Sequence, residues 1–308
     1  MEIAFTVMGN NPSFDEFKHL ETRINAILPP RYADCFEDVA PTSMGSATLR
    51  YDREGKVAWG EIWTTFCHLA LAGGPPHRGR FLGATTVEEV DASPIQYEAV
   101  VAELKRAMKL CVDLDLVPTA PKGWIGLQCD TEATSAWLVR AIIAENVIAR
   151  CEGSRLYVPA GPHFRVEKEI KNVVVCVAKT CHYLFDHLEP EQQPQGMPPV
   201  FVCPPLPHEI AAAGDHYKHA ANSLQRRIVE ATALPTRLGE SPGWIGIECG
   251  DEETAVWMLR AVAVEAILVR REDSILYVPV DLASDGAMVA KTADAVSNAH
   301  RLCQLRTK

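Results

Sequence analysis

No apolar run in these 308 residues reaches the roughly 18 needed for a membrane-spanning helix, so a helical membrane protein is not expected. The first residues, MEIAFTVMGNNPSFDEF, have neither a basic leader nor a long apolar core. That argues against a secretion signal and predicts a cytoplasmic protein. Positive charge is also short: 30 Lys and Arg face 40 Asp and Glu, for a net charge of -10 and a pI near 5.5. Broad electrostatic binding to nucleic acid or to an anionic membrane is therefore not expected. The ten cysteines include no C-x-x-C pair and lie mostly in apolar strings such as NVVVCVAKTC, so they read as reduced core thiols. Also missing are H-E-x-x-H and G-x-G-x-x-G; no nucleotide cofactor is expected, and no standard metalloprotease centre.

What is present is a duplication. GWIGLQCDTEATSAWLVRAIIAENVIARCEGSRLYVP (Gly123 to Pro159) recurs without a gap as GWIGIECGDEETAVWMLRAVAVEAILVRREDSILYVP (Gly243 to Pro279), with 18 identities in 37 positions. Unrelated rows of ordinary composition would agree at roughly one position in sixteen. Each copy reads as a strand, a capped helix beginning near Asp130 or Asp251, a hairpin of β-branched and aromatic residues, and a second helix, Val166 to His187 or Gly286 to Leu305. A lead-in helix precedes each copy, Ile95 to Leu114 and Glu209 to Thr232, and the unit is β-α-β-β-α.

The first ninety residues show the same order without the GWIG signature: IAFTVM as a strand, SFDEFKHLETRINAIL as a helix, CFEDV and SATLRYD as a strand pair, and VAWGEIWTTFCHLALA as a helix. The expected fold is α+β, with two clear repeats and a diverged N-terminal third packed about a pseudo-threefold axis. The alternative is a pseudo-dimer of the two repeats with a separate N-terminal α+β domain. The boundaries follow as an N-terminal unit over 1–90, a repeat over 91–188, a proline-rich connector over 189–207 and a repeat over 208–308. The threefold arrangement resembles that of the ring-opening hydrolases of the cyanuric acid hydrolase and barbiturase type. Their serine and lysine motifs have no counterpart here, so the resemblance extends to topology alone.

Polar residues kept in both copies, Trp124 and Trp244, Arg140 and Arg260, Glu145 and Glu265, Arg150 and Arg270, read as parts of the shared scaffold. Candidates for chemistry are mainly those found once; of those named below, Lys171 has a counterpart in Lys291. GGPPHRGR, Gly73 to Arg80, holds His77 and Arg78 on a loop made rigid by Pro75 and Pro76, an arrangement suited to a proton carrier beside an anion clamp. Ser43 and Ser46, in a Gly-containing turn, could present hydroxyls to an oxyanion. At the junction AGPHFRVEKEIKN, His163, Lys168 and Asn172 are candidate substrate ligands at a helix start, and Lys171 and Lys179 candidate base or amine groups. His68, His182 and His300 fall late in the last helix of each proposed unit and could converge as a three-histidine metal site.

The reading these residues favour is a cofactor-independent hydrolase or lyase acting on a small anionic metabolite in a cleft between repeats. The alternative is a non-catalytic metabolite-binding or assembly protein. A small anionic molecule is the expected partner in both, and an exposed repeat edge makes a homodimer plausible.

Overall fold

The computed structural model describes residues 14–28, 48–62, 68–112, 114–282 and 286–305. Within them the fold is mixed α+β, built on two four-stranded antiparallel sheets. The first sheet follows helices α2 (Val87–Ala92) and α3 (Pro94–Cys111). It contains β1 (Asp115–Leu116), β2 (Trp124–Gln128), β3 (Arg150–Glu152) and β4 (Arg155–Pro159), in the order β1-β2-β4-β3. Helix α4 (Glu132–Ala144) joins β2 to β3, and α5 (Lys171–His182), flanked by wider π-type turns, follows β4. The second sheet has the same layout: helices α6 (Pro207–Ala213) and α7 (Asp215–Thr232), then β5 (Thr236–Leu238), β6 (Trp244–Glu248), α8 (Glu252–Ala263), β7 (Arg270–Glu272), β8 (Ile275–Pro279) and α9 (Ala287–Cys303), ordered β5-β6-β8-β7.

Registers agree as well. Trp124 pairs with Pro159 and Gln128 with Arg155; Trp244 pairs with Pro279 and Glu248 with Ile275. The likeness extends upstream of the GWIG segments. Leu82 makes a parallel bridge to Val147, and Val202 one to Ile267. The Tyr97 hydroxyl accepts from the Gly123 amide at 3.0 Å, and the Tyr217 hydroxyl from the Gly243 amide at 2.9 Å.

Local chemistry explains the element ends. Thr131 caps α4, its hydroxyl accepting from the Thr134 amide, so the cap falls one residue after the expected Asp130; Asp251 caps α8 as expected. The lead-in to the second sheet is two helices rather than one, because Gly214, at φ 54°, turns the chain between α6 and α7. Every residue of α4 after Glu132 is buried, which fits a helix closed in by its sheet on one side and by α5 and the Ala70–Ala72 turn on the other. One continuous core runs from Leu20 to Cys303 through both sheets.

The N-terminal expectations fare differently. Helix α1 (Phe14–Ala26) forms and lies on the second unit, where the Phe17 ring stacks on Trp257 at 6.1 Å and Arg23 binds Glu265 at 2.7 Å. VAWGEIWTTFCHLALA does not form one helix: its described residues hold short 3-10 turns at Trp59–Glu61 and Ala70–Ala72, with Ile62 and Leu69 outside them. The Ala70 amide donates to the Glu145 carboxylate instead of to a carbonyl one turn earlier. The proposed strands IAFTVM and CFEDV lie outside the described residues. The only pairing of SATLRYD that is described is the isolated bridge of Tyr51 to Val57. A third sheet is therefore not present among the described residues.

Candidate functional site

The Gly73–Arg80 loop is fastened between the two units. Both Glu145 oxygens are used: Oε1 accepts from the Ala70 amide at 2.8 Å, Oε2 accepts from the His77 amide at 2.6 Å, and Lys179 Nζ lies 2.9 Å from Oε1. Glu145 and Lys179 are both buried, so each charge needs the other. Asn146, held at φ 64° just after α4, donates from Nδ2 to the carbonyls of Arg78 and Arg271, each at 2.8 Å. Arg271, buried in the second unit, donates to the Gly74 carbonyl at 2.9 Å. A Cβ added at Gly74 would fall 2.3 Å from the His68 carbonyl oxygen, so only glycine fits this crossing.

The structure brings several of the expected residues together. The His77 ring faces α5, with Nε2 3.2 Å from Asn172 Oδ1. Burial, reinforced by the charge of Lys179, pushes the His77 pKa down to about 3. A neutral imidazole with so low a pKa is a weak proton acceptor near pH 7. Arg78 turns its Nε to the Arg80 carbonyl at 3.0 Å, and burial lowers its pKa. Lys171 is half-buried on the same helix, its pKa lowered by burial. Lys179 faces Glu145 in the interior rather than an open cleft.

Other expected residues stay apart from this cluster. His163 is exposed at the edge of the Phe164 ring, and Lys168 is exposed beside Glu169 at 3.9 Å. Ser43 and Ser46 lie outside the described residues. The three-histidine metal site is not assembled: no group of three or more His, Cys, Asp or Glu among the described residues is placed to hold an ion. His68 is buried beneath Gly74, His182 pairs with Asp186 at 2.6 Å and meets His187 at 3.1 Å, and burial lowers the pKa of His300 on α9. Among the described residues, no helix is long and apolar enough to cross a membrane.

A cavity of about 170 Å³ opens elsewhere, where the first sheet meets the start of α6. Trp124 on β2, Arg150 on β3 and Tyr157 on β4 form one wall, with Leu206 and His208 opposite and Lys122 at the side. Lys122 is already tied to Asp91. Arg150 reaches Glu209 only at 3.4 Å, and both side chains are nearly 40% exposed (39% and 38%). Such a pair contributes about 0–1 kcal/mol and exchanges readily for a better acceptor. Glu152, exposed on the same wall, repels a second negative charge.

The corresponding place in the second unit is closed. Arg270 is 1% exposed, its guanidinium 4.5 Å from the Phe81 ring, 5.0 Å from Trp244 and 3.9 Å from Tyr277, with Glu272 at 2.6 Å. By sequence Trp124 and Arg150 read as scaffold, because their counterparts Trp244 and Arg270 are identical. The difference lies in what covers them, and no spacing in the sequence signals that.

No protein-family model matches the chain, and comparison with curated proteins and with solved structures finds no significant match.

Proposed function

We propose that this is a non-catalytic small-molecule-binding protein, a pseudo-dimer of two like modules, that takes a monocarboxylate in the cavity beside Arg150. The observation that carries the reading is the contrast between Arg150, loosely paired and open to the cavity, and Arg270, enclosed by three rings and a carboxylate. The planar fork of an arginine suits a carboxylate, and the nearby Glu152 selects against polyanions. The enzyme reading centred on His77 has less support, because the loop's amides and carbonyls are spent on joining the units and the imidazole is a poor base.

Calorimetric titration with a panel of aliphatic and aromatic monocarboxylates tests the proposal. Saturable one-to-one binding is expected for at least one, weakened tenfold or more in Arg150→Ala, while a dicarboxylate such as succinate binds more weakly. If no member binds, or if Arg150→Ala binds as the wild type does, the proposal is wrong.

A further inference from the structure

The two units differ in what covers one set of corresponding side chains. In the second unit, Phe81 reaches across from the first and its ring meets Trp244 edge-on at 5.3 Å, closing the space over Arg270 and Tyr277. Phe81 stands immediately before Leu82, whose bridge to Val147 fixes where the ring emerges. The second unit has the same construction, with Phe201 immediately before Val202 and Val202 bridged to Ile267. By the correspondence of the two units, Phe201 would cross to Trp124, Arg150 and Tyr157. Instead its ring lies over the Arg140 guanidinium at 5.1 Å, on α4. The Trp124, Arg150 and Tyr157 set is thus left lining the cavity, with Leu206, Pro207 and His208 of the opposite unit across it and Phe81, Ala84 and Ala120 packed against the cluster that holds the two rings.

From this we infer that the cavity receives a small aromatic carboxylate, whose ring takes the place over Trp124 and Tyr157 that Phe81 holds in the other unit. The inference rests on the binding reading above and adds the ring to the carboxylate. The chain itself shows that this constellation of tryptophan, arginine and tyrosine accepts a phenyl group. A ring there gains an edge-to-face contact with Trp124 and a cation–π contact with Arg150. The carboxylate takes the guanidinium of Arg150 from Glu209, which now reaches it only at 3.4 Å. The cavity is too small for a large ligand, since about 170 Å³ is close to the ~150 Å³ that holds a single benzene ring.

The test is a titration of the full chain with phenylacetate, cyclohexylacetate and acetate, followed by calorimetry and by tryptophan fluorescence. Phenylacetate is expected to bind at least tenfold more tightly than acetate and severalfold more tightly than cyclohexylacetate. Trp124→Ala should abolish that preference. Because Trp124 is buried and its loss could unfold the protein, a second variant, Val87→Phe, supplies a ring from an exposed residue that lines the same cavity. It should leave the fold intact and weaken phenylacetate binding at least fivefold. If acetate and cyclohexylacetate bind as tightly as phenylacetate, the ring is not recognised and the inference fails while the carboxylate reading survives. If none of the three binds and no other monocarboxylate does, the binding reading fails with it. Undiminished phenylacetate binding in Val87→Phe would place the ligand elsewhere and overturn the inference.

Discussion

Replacing Glu145 by alanine should be among the most damaging single changes in the chain, and the size of the effect follows from what the carboxylate touches. It is fully buried, holds Lys179 Nζ at 2.9 Å, and accepts from the amides of Ala70 and His77. Removing one member of a buried ion pair costs about 3–5 kcal/mol, because the other charge is left without a counter-ion. Each stranded amide adds to this, at about 1–3 kcal/mol when nothing replaces the acceptor. These costs overlap, since water entering the vacated space would serve several donors. The expected loss for Glu145→Ala is therefore about 3–5 kcal/mol rather than the sum. Urea denaturation followed by circular dichroism would read it as a fall in midpoint at nearly constant slope. The companion variant Glu145→Gln/Lys179→Met keeps an acceptor oxygen and removes the unpaired charge, so it should recover at least half of the loss. A cost below about 1 kcal/mol for Glu145→Ala would refute the claim that this carboxylate fastens the loop to the two units. A double variant no better than the single one would show that the charge pairing is not the main term.

Further outcomes follow from the same contacts. His77 has a folded pKa of about 3 against 6.5 for the free side chain, so the native state resists its protonation. Its contribution leaves stability unchanged above about pH 6.5 and lowers it as pH falls from there towards 3, by no more than about 1.4 kcal/mol per pH unit; His77→Gln should flatten that part of a stability-versus-pH curve. Gly74→Ala places a methyl 2.3 Å from a backbone oxygen and should cost about 1–3 kcal/mol, seen as a lower thermal midpoint. Asn146→Ala gives up the bonds to Arg78 and Arg271 and keeps a left-handed backbone without the side chain that tolerates it, so a loss of about 2 kcal/mol or more is expected on denaturation. Phe81→Ala should destabilise by more than Phe201→Ala, because the first ring also meets Trp244 edge-on beside its buried arginine; equal losses in thermal melts would undo the contrast between the units.

Much of the secondary structure was legible in the chain. The GWIG strands, the helices that carry Trp137 and Trp257 and the hairpins ending in YVP show the periodicities and turn residues of what they form, because those signals are local. Where a helix is expected over 57–72, the described residues form two short 3-10 turns, and the Ala70 amide at the second is held by Glu145, far along the sequence. The candidate residues divide in the same way. His77, Asn172, Lys171 and Lys179 were each singled out from sequence, and they do meet. The Glu145 carboxylate that turns Lys179 into a structural partner could not be foreseen from spacing.

Periodicity and caps determined that the chain mixes strands and helices, since each depends on residues within a turn or two of one another. Only the tertiary structure decided which of two near-identical sets of side chains is closed. Whether Phe81 or Phe201 swings across to a tryptophan, an arginine and a tyrosine depends on where the units press together, and that packing is a property of the whole chain.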